Sequence, residues 1–297
     1  MVLIVILSLI VLVNSVFAVR LIRDMIKHKA EIMKEPGNNF VMAIYSFFLF
    51  LASTFGISDF AISMACYPKL KWVGAKKMPG TLNIQCTIPA AVMALAYINS
   101  IKIDLLTLIV PIICQMLGSY LSPRYVVKLP ANTIKKVMSV GLFISAGFIL
   151  AGKFGLMPSG GEATQLTGIK LVILGVCTFM WGALNNIGIG SYSTTMATAY
   201  ALGLNPAAAF PIMMGSSAFS VPIGSMQFIK LDSYNRKITL FTSTLGVIGV
   251  LIAVFVVKSL DLAALQWVVV VVILYSAISM MLDALKEEKE IKEPVME

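Results

Sequence analysis

Apolar residues gather in nine clusters, approximately 2–22, 39–68, 80–99, 103–122, 135–152, 167–202, 209–228, 238–258 and 265–285, separated by short connectors rich in Lys and Arg. About 20 apolar residues cross a bilayer once as a helix, which pairs its own backbone groups where no water can do so. The pattern predicts an all-α polytopic membrane protein with about 7–9 transmembrane segments. Clusters 39–68 and 167–202 are longer than one crossing needs, and each is interrupted, by STFGISDF around Gly56 and by ALNNIGIGSYS around Gly188 and Gly190. Glycine and small polar residues inside such a run are tolerated where the freed backbone faces protein or water.

The two interruptions stand 132 residues apart, Gly56 to Gly188, and that offset superimposes Gly56-Ile57 on Gly188-Ile189, Met64-Ala65 on Met196-Ala197, Leu70 on Leu202, Ala75 on Ala207 and Pro79 on Pro211. It also carries cluster 103–122 onto 238–258 and 135–152 onto 265–285. Agreement of several elements at one offset marks an internal duplication. The expected units are 1–132 and 133–285, followed by a charged cytoplasmic tail, 286–297, expected to be frayed.

Charge bears on how the copies are oriented. If all nine clusters cross once, the 23 basic residues divide 14 to 9 between the two sides. If 39–68 and 167–202 each enter and return on one side, 19 fall on the cytoplasmic side and only Lys102, Lys153, Lys170 and Lys258 outside. The second division matches the positive-inside bias and predicts two inverted repeats with broken or re-entrant helices, the sequence mark of a secondary transporter. The arm from Asn39 to Thr54 would rise about 24 Å, so each hairpin must penetrate deeply or tilt.

Composition narrows the class further. Of 297 residues, 59% are apolar and 12% charged, which excludes a water-soluble enzyme of this size. The net charge of +9 lies in the connectors, so phosphate headgroups of membrane lipids are the expected partners rather than nucleic acid. The N-terminal run lacks a positive region before it and carries Arg20, Arg23, Lys27 and Lys29 after it, the reverse of a signal peptide. Cys66, Cys86, Cys114 and Cys177 show no metal or disulfide spacing, and the single His28 has no clustered carboxylates, so no metal site and no cofactor is expected. A multi-pass protein of the cell membrane follows, with a homo-oligomer as one possible state.

The polar residues left inside the apolar clusters are the candidate site. Asn185, Asn186, Gly188, Gly190 and Ser191 bracket the second break, and a helix starting near Ser191 would aim N–H groups and a positive dipole end at a sulfonate or carboxylate. The same small residues could instead serve close helix packing. At the first break, Gly56 and Ser58 adjoin Asp59, the one acidic residue deep in an apolar cluster. Asp59 reads either as a proton-coupling group or as the N-cap of an arm beginning at Phe60. Beyond the breaks, helices opened by Pro79 and Pro211 carry Thr81, Asn83, Gln85 and Thr87 in one copy and Ser216, Ser217, Ser220, Ser225 and Gln227 in the other. Spacings of four put 81 with 85, 83 with 87 and 216 with 220 on shared faces, suited to lining a cavity or to bonding between helices.

The span from Leu174 to Ile229, with its glycine-rich break, short helix, Gly-Leu-x-Pro connector and Ser-containing helix, resembles the sulfite exporter TauE/SafE family of membrane permeases. The first copy is similar but diverges at Gly56-Ile57-Ser58-Asp59-Phe60 and at Lys76-Lys77. The resemblance implies transport of small organosulfur anions such as sulfite or sulfonates, with the family's glycine-rich motifs falling on Gly56, Gly188 and Gly190. The expected function is therefore secondary transport of a small organic or inorganic anion, without enzymatic chemistry. An anion channel and a membrane scaffold without transport are the alternatives.

Overall fold

A computed structural model describes residues 2–55, 57–98, 103–156, 160–255 and 262–292. The chain runs through helices α1 (Val2–Lys27), α2 (Lys29–Ile32), α3 (Asn39–Thr54), α4 (Asp59–Lys69), α5 (Met78–Tyr97), α6 (Leu105–Leu121), α7 (Pro123–Val126), α8 (Ala131–Lys153), α9 (Gly168–Asn185), α10 (Ser191–Ala201), α11 (Pro206–Lys230), α12 (Arg236–Phe241), α13 (Val247–Phe255) and α14 (Leu262–Lys292). A π-helical turn, Thr242–Gly246, joins α12 to α13. Among the described residues, six helical stretches are long and apolar enough to cross a membrane: Val2–Lys27, Leu105–Val126, Ala131–Lys153, Gly168–Asn185, Ala208–Lys230 and Arg236–Phe255. The protein is thus an all-α, multi-pass membrane protein, and α3 is an apolar but shorter helix.

Both long clusters break where their glycines fall. Cluster 39–68 divides into α3 and α4, with Asn38 capping the first by accepting from Phe40 N and Val41 N. Cluster 167–202 divides into α9 and α10. The second of the two Pro-opened helices departs from expectation. It starts at Pro206, capped by Asn205 Oδ1 on Ala208 N, and Pro211 lies inside it, because the Asn-Pro pair one turn earlier supplies a cap and a first-turn proline. The tail also differs, since α14 continues to Lys292, with Lys135 and Lys136 of α8 paired to Glu287 and Glu288.

The nearly all-buried α5 and α11 pack against each other at the centre. The outer helices turn one face inward and leave residues such as Ile4, Leu12, Phe48, Ile169, Val172 and Val176 exposed, as lipid-facing positions require. Each broken segment packs on a helix from the other half of the chain: α9 lies along α6, and α3 along α13 and the π-turn. These are close crossings. A Cβ on Gly118 would stand 2.0 Å from the Phe179 carbonyl oxygen, and one on Gly249 would stand 2.3 Å from that of Phe47, the residue 132 positions before Phe179.

Two joints tie the connectors together. At the first, Arg236 Nε donates to Asp24 Oδ2 at 2.8 Å, Lys237 Nζ donates to the carbonyls of Glu35 and Gly37, and Asn235 donates to Trp72 O and to Thr81 Oγ1. At the second, Asp104 N donates to Thr164 O, Leu166 N to Thr107 Oγ1, and Gly161 N to Leu204 O. The α3–α4 segment leaves the first joint and returns to it, whereas α9–α10 leaves and returns to the second. Between them, α5 departs from the first joint and α11 arrives there.

Candidate functional site

The second break is organised by one carboxamide. Asn185, the last residue of α9, donates from Nδ2 to Asn83 Oδ1 at 2.9 Å and accepts at Oδ1 from Ser191 N at 3.1 Å. It thereby joins the end of α9, the start of α10 and the second turn of α5. Asn83 in turn donates to Pro79 O at 2.9 Å. Ser191 Oγ lies 3.5 Å from Ser217 Oγ on α11, and neighbouring Ser216 Oγ is buried without a hydrogen-bond partner. Gly188 holds φ +105°, a conformation that side chains disfavour, and a Cβ there would meet Met64 Sδ at 3.0 Å. Beside Gly190 the space is open: a Cβ there would have no atom within 4 Å.

The first break is built alike at the offset positions. Ser53 Oγ donates to Asp59 Oδ1 at 3.3 Å, so the residues equivalent to Asn185 and Ser191 again bridge the two arms. The cap of α4 is Ser58, whose Oγ accepts from Ala61 N at 3.3 Å, and the helix starts at Asp59 itself. The expectation that Asp59 caps an arm starting at Phe60 is therefore corrected: a serine already stands one place earlier in the extended conformation that a cap requires. Asp59 Oδ2 is buried with no hydrogen-bond partner. Gln85, two residues along α5 from Asn83, accepts from Tyr67 and donates to Ser63 Oγ at 2.9 Å.

The sequence-derived candidates therefore divide. Asn83, Asn185, Ser191 and Ser217 form one connected group, with Ser216 and Gly190 beside it. Gln85, Ser58 and Asp59 belong to the first break, and Gly56 lies outside the described residues. Asn186 faces elsewhere: its Nδ2 donates to Ser119 O and to Ser122 Oγ, at 2.8 and 2.7 Å, where α6 meets α11. Thr87 bonds across to Ser225 at 2.9 Å, which gives that stripe a role between helices.

A further polar chain starts from Gln115 on α6. Gln115 Nε2 donates to Ser220 Oγ at 3.1 Å while its Oε1 accepts from Thr195, which fastens α6 to both α11 and α10. The sequence signal was a lone glutamine in an apolar helix. Among the described residues no group of three or more His, Cys, Asp and Glu could hold a metal ion.

Chemically, the centre offers carboxamides, hydroxyls and a helix N-terminus around the second break, and a carboxyl at the first. The two breaks share one region, since a Cβ on Gly188 would stand 3.0 Å from Met64 Sδ of α4. Hydrogen-bond donors near α10 suit a small anion, and the carboxyl opposite suits a proton or a cation.

Comparison with known proteins finds a family for a C-terminal region of the chain. Residues 171–296, from within α9 through α14, match the family model described as sulfite exporter TauE/SafE. No curated protein and no solved structure gives a match.

Proposed function

We propose that the chain, of TauE/SafE type from Leu171 onward, is a secondary transporter of small anions, with sulfite and sulfonates the leading substrates. The observation that carries this reading is the meeting of both helix breaks on α5: Asn83 is bonded to Asn185 of one break, and Gln85 to Ser63 beyond the other. Broken helices that converge on one point give a site whose two sides can be opened in turn. In this reading Ser191, Ser216, Ser217, Asn83 and the N-terminus of α10 hold the anion, which undergoes no covalent change.

The two units, 1–132 and 133–285, form inverted repeats in this proposal. Supporting it are the return of α3–α4 and α9–α10 to different joints, the opposed courses of α5 and α11, and the matched contacts of Phe47 with Gly249 and Phe179 with Gly118. The basic residues of the first joint make that side cytoplasmic. Asp59, with one oxygen lacking a partner, is the coupling group, taking a proton as the anion moves.

Flux in proteoliposomes tests the proposal. Sulfite, taurine, sulfoacetate and acetate should be compared with and without a pH gradient, and absence of flux for all four removes the anion-transport reading. Asp59→Asn should abolish gradient-driven accumulation yet retain exchange; unchanged accumulation would remove the coupling role alone.

A further inference from the structure

Beside the central region lies a cavity of about 480 Å³ between α4, α8, α14 and the connector that follows α4. Lys69, Lys71 and Lys135 line it, opposed by the single carboxylate of Asp283. Two of the lysines are held in place: Lys69 Nζ sits 3.8 Å over the Tyr275 ring, and Lys135 pairs with Glu287 at the helix end. Lys71 is exposed, at a positive φ of 54° that turns the connector back on itself. Three lysines set against Asp283 and against Glu287, the partner of Lys135, leave a net positive charge of one around this space.

The inner wall of the same cavity is apolar. Met64 on α4 and Met138 on α8 line it and are 1% exposed. Both also touch the second break, since a Cβ on Gly188 would stand 3.0 Å from Met64 Sδ and 3.4 Å from Met138 Cγ. Gly188 stands in the turn between Asn185 and Ser191, its N–H donating to Asn185 O at 3.1 Å. Two unbranched, readily rearranged side chains thus form the partition between a basic chamber and the group assigned to the anion.

Resting on the transport reading above, we propose that this chamber is the cytoplasmic vestibule for small sulfonate-like anions, and that Met64 and Met138 are its inner gate. The lysines concentrate the anion electrostatically, an effect that salt screens, and rotation of the methionines uncovers Gly188 and the start of α10. Met64 belongs to the first break's returning arm while Gly188 belongs to the second break. Movement of one hairpin therefore opens the route to the other.

Labelling tests the chamber without relying on transport. Ser279 lines the cavity, and Ser279→Cys is treated in purified protein with a sulfonate-bearing and a trimethylammonium-bearing methanethiosulfonate, each rate normalised to a free thiol and corrected for the native cysteines. At low salt the sulfonate reagent should react about tenfold faster, and the preference should vanish in Lys69→Gln/Lys71→Gln and in high salt. Equal rates, faster reaction of the cationic reagent, or a preference untouched by the lysine changes overturns the vestibule. For the gate, Ser191→Cys should react slowly with the sulfonate reagent and about tenfold faster once Met64 and Met138 are both Ala, with elution as a single folded species as the control. Fast reaction with both methionines present overturns the gate. A Ser279→Cys chain that shows the charge preference, in a protein whose wild type moves no anion, would instead sink the transport reading and leave the chamber standing.

Discussion

Asn185 uses one carboxamide for two purposes, and its replacement separates them. Asn185→Ala leaves Ser191 N and Asn83 Oδ1 without their partner, at a cost of about 1–2 kcal/mol, and should lower the melting temperature in detergent while sharply reducing anion flux. A variant that melts lower but transports normally would confine Asn185 to capping. At Gly188 the constraint is backbone conformation, so Gly188→Val should be poorly folded on both counts, the φ of +105° and the contact with Met64. Asn185, Ser191 and Asp59 stood out in the sequence because polar residues interrupting an apolar run have few alternatives to a partner. What the sequence left hidden was the identity of that partner. Gln115 and Ser220 are 105 positions apart, and helical spacing says nothing about which neighbour a lone glutamine will reach.

Among elements, the closest crossings are set by glycine. Gly118→Ala would drive a methyl into the Phe179 carbonyl and push α6 from α9, and Gly249→Ala would do the same to α13 and α3. Each should cost about 1–3 kcal/mol, read as a lower melting temperature, and an unchanged melt would mean that the helices separate freely. The first joint has a different vulnerability. Arg236 is 3% exposed and paired with half-buried Asp24, which keeps the Tyr234 hydroxyl as a partner, so Arg236→Met should destabilise by about 1–3 kcal/mol. Adding Asp24→Asn should recover part of that loss; no recovery would place the damage in packing rather than charge. Element boundaries followed the apolar clusters closely, since a bilayer demands length and apolarity together. The π-turn at 242–246 leaves no mark in the apolar pattern, and it lies against α3, where a Cβ on Gly246 would stand 2.7 Å from the Phe50 ring.

For the molecule as a whole, the proposed inversion makes a plain forecast: single cysteines in connectors 69–77 and 203–205 should be labelled by an impermeant reagent from opposite faces of the membrane. Labelling from the same face would defeat it. The breaks between α3 and α4 and between α9 and α10 were legible in the interrupted apolar clusters, but the packing of α3 on α13 and of α6 on α9 was not, because an offset relates positions without saying which of them touch. That packing has a consequence for biosynthesis. Helix α3 is complete at Thr54, yet its main partner extends to Phe255. At ordinary rates of synthesis α3 waits roughly 10–40 s in the bilayer before that partner exists. A chain released after α8 would hold α3 and α6 without their main partners, so the packing of the first half is completed only when the second has been made.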